Sequence, residues 1–157
     1  MNLPKQILVP TDFSPCADEA LDYAVALAEK LGAKVIVMHA YEIPVVGFPD
    51  GAYITGADEA ARILTATQEN LDALIAKHER GAASLKGLLK NGEPSESIVA
   101  AARDVSADLI VMGTHGRRGL AHALLGSVAE RVVRSSPCPV LTLGAQTVRP
   151  DAVLARS

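Results

Sequence analysis

The sequence has no tryptophan, three tyrosines and two phenylalanines, so aromatics make up only 3% of its 157 residues. Its core must therefore be built from Ala, Val, Leu and Ile. Hydrophobic residues reach 49%, which allows such a core and excludes a disordered chain. An excess of one charge is also missing. Fifteen Lys and Arg stand against 18 Asp and Glu, a net charge of −3, which gives no sign of a nucleic-acid or anionic-membrane partner. No apolar run is long enough to cross a bilayer, and Met1 to Lys5 leads into a strand-like segment without the layout of a signal peptide. Cysteine is scarce. Cys16 and Cys138 have no metal-ligand spacing, no His/Cys/Asp cluster elsewhere has it either, and the two thiols are expected free in a reducing cytoplasm. The length is that of one domain, without internal repeats or low-complexity segments.

What is present is an alternation of two periodicities. Ile7-Leu8-Val9 is a short apolar run that stops at Pro10-Thr11-Asp12 and reads as a buried strand. Ser14-Pro15 is an N-cap followed by proline at the first helical position. Ala17, Ala20, Leu21, Ala24, Ala28 and Leu31 form the stripe of an amphipathic helix, and Gly32 stops it. Val35 to Met38 is a second buried strand closing on His39-Ala40. A Gly- and Pro-rich loop from Tyr41 to Ala57 follows, long for a compact domain. Ala60, Ala61, Leu64, Leu71, Leu74, Ile75 and His78 share one face of a long second helix. Leu85 and Leu89 alternate with Lys86 and Lys90 in a third strand, half exposed as an edge strand would be. A third helix follows Asn91-Gly92-Glu93-Pro94, with Ile98, Val99 and Ala102 inward. Leu109 to Met112 is the fourth strand, Val128, Ala129, Val132 and Val133 mark a fourth helix, and Val140 to Leu143 is the fifth strand. Beyond Gly144 no periodicity continues, so residues 1–144 are read as the domain and 145–157 as a frayed tail.

Five strands alternating with four helices predict an α/β fold, a doubly wound parallel sheet. Two loops are chemically equipped: Pro10-Thr11-Asp12 after strand one, and Gly113-Thr114-His115-Gly116 after strand four, the latter followed nine residues on by Gly126-Ser127. Glycines let backbone N–H groups approach a ligand, and a helix start attracts anions. The spacing is neither a P-loop nor the dinucleotide fingerprint. Ligands in such sheets bind at strand carboxyl ends where the winding reverses. If both loops touch one ligand, strands one and four are neighbours, which predicts strand order 3-2-1-4-5 and places the alternating third strand at an edge.

Lys5 to Ser14, Val37 to Ala40, Asp108 to Gly116, Gly126 to Glu130 and Ser136 to Leu141 together resemble the universal stress protein family. The resemblance runs over roughly residues 3–144. It implies the family's Rossmann-like domain and, because every glycine and the closing Ser are present, its ATP-binding branch. It also implies a pocket: Pro10, Thr11, Asp12 and Ala40 at the first two strand ends, Met112, Gly113, His115, Gly116 and Arg117 after the fourth, and Gly126, Ser127 and Val128 at the last helix. The ligand would be ATP, ADP or AMP, with Mg²⁺ held mainly through phosphates and water. Members of this family commonly form homodimers through the fifth strand, and the apolar run Val140 to Leu143 at a sheet edge invites such pairing.

Several of these residues have two readings. Asp12 could contact adenine and ribose, or cap the next helix beside Ser14. Ser127 could serve phosphate, or form a capping box with Glu130. Arg117 could neutralise phosphate charge or be solvated, and Arg118 reads as solvated. His115 could touch phosphate or carry a proton, though a lone loop histidine does neither as a rule. His39 reads as a packed, hydrogen-bonded histidine, and His78 and His122 as surface. No catalytic residues are visible: the glycine loop lacks Lys, and nothing positions a water, so any hydrolysis is expected to be slow. The expected function is an ATP-binding stress or regulatory protein. A slow nucleotide-hydrolysing or nucleotidyl-transferring enzyme and a ligand-free structural module are the alternatives. The Tyr41–Ala57 loop, with Gly47, Gly51 and Gly56, is expected to be mobile without nucleotide and to order partly with it.

Overall fold

A computed structural model describes residues 3–47, 53–54, 56–79, 83–114 and 125–144. Strand β1 (Gln6–Pro10) is followed by helix α1 (Pro15–Leu31), β2 (Lys34–Tyr41), the two-residue strands β3 (Val46–Gly47) and β4 (Tyr53–Ile54), α2 (Ala57–His78), β5 (Ser84–Asn91), α3 (Pro94–Asp104), β6 (Leu109–Gly113), α4 (Ser127–Ser135) and β7 (Val140–Leu143). The large sheet has the order β5-β2-β1-β6-β7, every pair parallel. Its strands β5, β6 and β7 are the third, fourth and fifth strands anticipated above, so the order 3-2-1-4-5 and the four helices are observed.

Side-chain alternation along the strands builds two cores. Ile7, Val9, Val35, Val37 and Val111 pack under α1 and α2, while Leu8, Met38, Ile110 and Met112 pack under α3 and α4. Helix α1 starts and stops as its caps dictate. Ser14 Oγ accepts from the Ala17 N–H at 3.3 Å, Pro15 follows, and Gly32 takes the left-handed conformation at φ 64°.

Two expectations need correction. The Tyr41–Ala57 segment is not all loop. Tyr41 belongs to β2, Ala57 opens α2, and Val46↔Ile54 and Gly47↔Tyr53 form a short antiparallel ladder. Strands this short carry no readable alternation. Residues 48–52 and 55 lie outside the described residues, as does the 145–157 tail. The α2 stripe is also only half used. Leu71 and His78 are buried, but Leu64 is 42% exposed and Ala61 is exposed. The helix packs on β5 and β2 through its second half, where Leu71, Leu74 and Ile75 join the core.

Candidate functional site at the carboxyl edge of the sheet

The winding reverses between β1 and β6, and there the hydrogen-bonded ladder is cut short. Their pairing runs through Ile7↔Leu109 and Leu8↔Ile110, whereas β1 and β2 stay paired to Pro10↔Met38. The backbone gives the reason. Lys5 O and the Thr11 N–H bond to β2 and its approach, and Gln6 O accepts from the Asp108 N–H on the β6 side. Backbone groups alternate along a strand, so Pro10 is turned to β6, and proline has no N–H to give. The ladder ends there, at the switch point where sheets of this kind form their ligand crevice.

The residues around this crevice come from separate elements. Ala40, Met112, Leu125 and Val128 pack in one apolar cluster on the α3/α4 face. Pro10 and Thr11 are buried, and Asp12 and Gly113 are half-buried. The Thr114 N–H donates to Leu143 O at 2.8 Å, and Thr114 O accepts from the Gly126 N–H at 2.7 Å. That second bond stitches together the two halves of the glycine motif. Glu130 is the first residue to bond within α4, to Gly126 O. The N–H groups of Ser127, Val128 and Ala129 therefore sit at an open helix start, and the cap residue Gly126 has no side chain to cover them.

The capping box read at Ser127 and Glu130 does not form. The cap is Gly126, one residue earlier, in an extended conformation (φ −70°, ψ 158°). Its bond to Thr114 fixes the chain there, Ser127 becomes the first helical residue, and Glu130 pairs with Arg134 at 3.0 Å. Gly113 has a packing duty as well. A Cβ there would lie 2.7 Å from Cys16 Sγ and 3.1 Å from Cys16 O. Cys16 and Thr114 are thus site-shaping residues that pattern reading missed. Thr114 occupies a variable position of the motif, and nothing local relates Cys16 to a strand about a hundred residues on.

The β1–α1 turn is held from several sides. Asp12 Oδ1 accepts from the Ser14 N–H at 3.0 Å, so Asp12 closes a turn and Ser14 caps the helix. Thr11 Oγ1 accepts from the Phe13 N–H at 3.0 Å. Phe13 has φ 61°, the left-handed region that costs a non-glycine residue strain. His39 Nδ1 donates to Thr11 O at 2.7 Å, and its ring lies 4.5 Å from that of Phe13. His39 is therefore the packed, hydrogen-bonded residue expected. His78 is not surface: its relative exposure is 5%, and it lies between Asp18 and Asp22. Its partners sit 56 and 60 residues away, beyond the reach of a local pattern.

Beside the crevice, Glu93 caps α3 and meets Arg131 of α4 at 3.5 Å. The hydrogen bond from Ser95 is the main reason its carboxyl is held below the usual range. A cavity of about 280 Å³ lies on the opposite side, between Phe13, Pro15, Asp18, Leu74 and Lys77, and among the anticipated residues it touches only Thr11. His115, Gly116, Arg117, Arg118 and His122 lie outside the described residues. Among the described residues no group of His, Cys, Asp and Glu could hold a metal, no helix is long and apolar enough to cross a membrane, and Cys16 and Cys138 are free thiols.

Comparison with known proteins gives the same architecture. The family model described as "Universal stress protein family" matches residues 4–143. Universal stress protein MJ0531 of Methanocaldococcus jannaschii is 37% identical over 145 residues, covering 90% of this chain and 83% of that one. The solved structure of MJ0577, from the same organism, superposes with a TM-score of 0.75 at 30% identity, covering 92% and 98% of the two chains. A universal stress protein solved in complex with cAMP superposes with a TM-score of 0.62 at 31% identity, covering 90% and 98%. The chain belongs to the universal stress protein family.

Proposed function

We propose that this chain is a universal stress protein of the ATP-binding branch, acting in the cytoplasm, in which nucleotide changes conformation or partner choice. Adenine and ribose would lie against Pro10, Thr11, Asp12, Ala40 and Met112. The phosphates would lie at the open start of α4, with Gly113, His115, Gly116 and Arg117 along the way to Gly126, Ser127 and Val128. The observation that carries the reading is the Gly126 N–H to Thr114 O bond, which brings an uncapped helix start to the mouth of the β1/β6 crevice. The relative solved with cAMP supports an adenine nucleotide as the ligand class.

The reading is binding rather than turnover. The glycine motif lacks the Lys of phosphate-transferring loops. With no metal-ligating cluster among the described residues, Mg²⁺ would be held through phosphates and water. Mass spectrometry of the native purified protein should find co-purified adenine nucleotide, and calorimetric titration should give ATP binding. Gly126→Val should abolish it while leaving the melting temperature near wild type, because φ −70° and ψ 158° suit any residue. Wild-type affinity in Gly126→Val would remove the site.

A further inference from the structure

One cluster of titratable groups has no part in the crevice. His78 closes α2, with a side chain 3% exposed. Its Nε2 lies 2.7 Å from Asp18 Oδ1 and its Nδ1 lies 2.8 Å from Asp22 Oδ1. The two aspartates are one turn apart on α1 and share a face. Lys77 of α2 pairs with the second Asp18 oxygen. Asp18 and Asp22 from α1 and Lys77 from α2 are the charged groups in this cluster.

A neutral imidazole has one N–H and one bare lone pair. Here it could donate to one carboxylate, and its lone pair would then face the other carboxylate at under 3 Å. Only imidazolium donates to both. The carboxyl end of α2 adds partial negative charge at the same place.

We propose that Asp18, His78 and Asp22 form a proton-held latch that fastens the end of α2 to the first turns of α1. The latch matters because α2 has two buried side chains, Leu71 and His78, beside the partly buried Leu74 and Ile75. Leu71 holds by apolar packing, which is indifferent to pH. His78 holds fully only while both nitrogens carry protons. As the pH rises, hydroxide takes one proton from the ring, one donor remains, and one carboxylate lets go. Asp22 is the partner that yields, its side chain being 70% exposed and readily rehydrated, against 29% for Asp18. Burial alone would push the Asp18 carboxyl up, but hydrogen bonds from Lys77 and His78 outweigh it and hold the group below 3.8, so the carboxylate stays charged throughout this range.

The test is hydrogen exchange on the full chain from roughly pH 6 to 9, with rates normalised for intrinsic exchange, together with NMR of the His78 ring nitrogens. Both ring nitrogens should carry protons wherever the second half of α2 is fully protected. Amides in the second half of α2 should lose about tenfold or more protection as the ring titrates, while those of α3 do not change. Asp22→Asn keeps an acceptor oxygen and removes a charge at an exposed position, so it should fold and its loss of protection should come at lower pH. His78→Gln should show low protection in α2 at every pH. A ring with one proton at any pH where α2 stays fully protected would overturn the latch. So would an Asp22→Asn midpoint that stays in place or moves upward.

Discussion

Gly113 and Gly126 stand in one motif and do different physical work. Gly113 lets α1 come close, since a methyl there would meet Cys16 Sγ at 2.7 Å and the Cys16 backbone oxygen at 3.1 Å. Gly113→Ala should therefore cost about 1–3 kcal/mol of stability, read from the urea midpoint. Cys16→Ala in the same chain should recover part of that, because Sγ is the nearest obstacle, but not all, because the backbone oxygen remains. A Gly113→Ala variant as stable as wild type would show that α1 can simply move away. Asp18 gives a pH prediction with a definite sign. Its folded value lies below the ordinary 3.8, so its contribution is present above that value and is lost as pH falls through the lower folded value. The stability gap between wild type and Asp18→Asn should be full at neutral pH and close only below about pH 4. A gap that persists in strong acid would mean that packing, not charge, is what the substitution removes.

At the scale of elements, α2 is the least uniform. Leu71→Ala should destabilise by about 2–5 kcal/mol, as core truncations do, because Leu71 is fully buried against the sheet. Leu64→Ala, two turns earlier and 42% exposed, should change stability by no more than about 0.5 kcal/mol. Equal losses in chemical denaturation would place both halves of the helix in the core. The same contrast explains what could be read from the residues. Ile7-Leu8-Val9, Val35 to Met38 and Leu109 to Met112 are continuous apolar runs because helices cover both faces, and those strands were legible along with their order. Ser14, Pro15 and Gly32 made the ends of α1 legible by local chemistry. The β3–β4 ladder was not, because two residues have no period. Of the two readings of Ser127, the capping box was not met, because the cap is Gly126, held by a bond to Thr114 twelve positions earlier. The glycine motif marked the site, yet the packing duty of Gly113 was hidden because Cys16 reaches it only through the fold.

At the scale of the molecule, the sheet ends at β7 among the described residues, with β6 as its one sheet neighbour there. Its flanks are apolar. Cys16 reaches Leu143 O at 3.5 Å, and Tyr23 and Leu27 continue that stripe of α1 toward β7. Tyr23 is 43% exposed. On α4, Arg131 turns toward Glu93 of α3, and Val133, more than half a turn further round, is 49% exposed on the β7 side. An unpaired edge bordered this way suits a second copy of the chain. Light scattering at micromolar concentration should give a dimer mass. Leu141→Asp should give a monomer, and Leu64→Asp should leave the dimer intact. A monomeric wild type, or a dimer indifferent to Leu141→Asp, would move the interface elsewhere. Pro10 has a consequence of another kind. The β1–β6 ladder stops short where a ring closed onto one nitrogen removes a donor from the backbone lattice, so a ligand at this switch point has no backbone hydrogen bond of Pro10 to break. Entry is then a matter of encounter rather than of waiting for a rare open form, and the observed association rate should rise in proportion to nucleotide concentration, without a plateau.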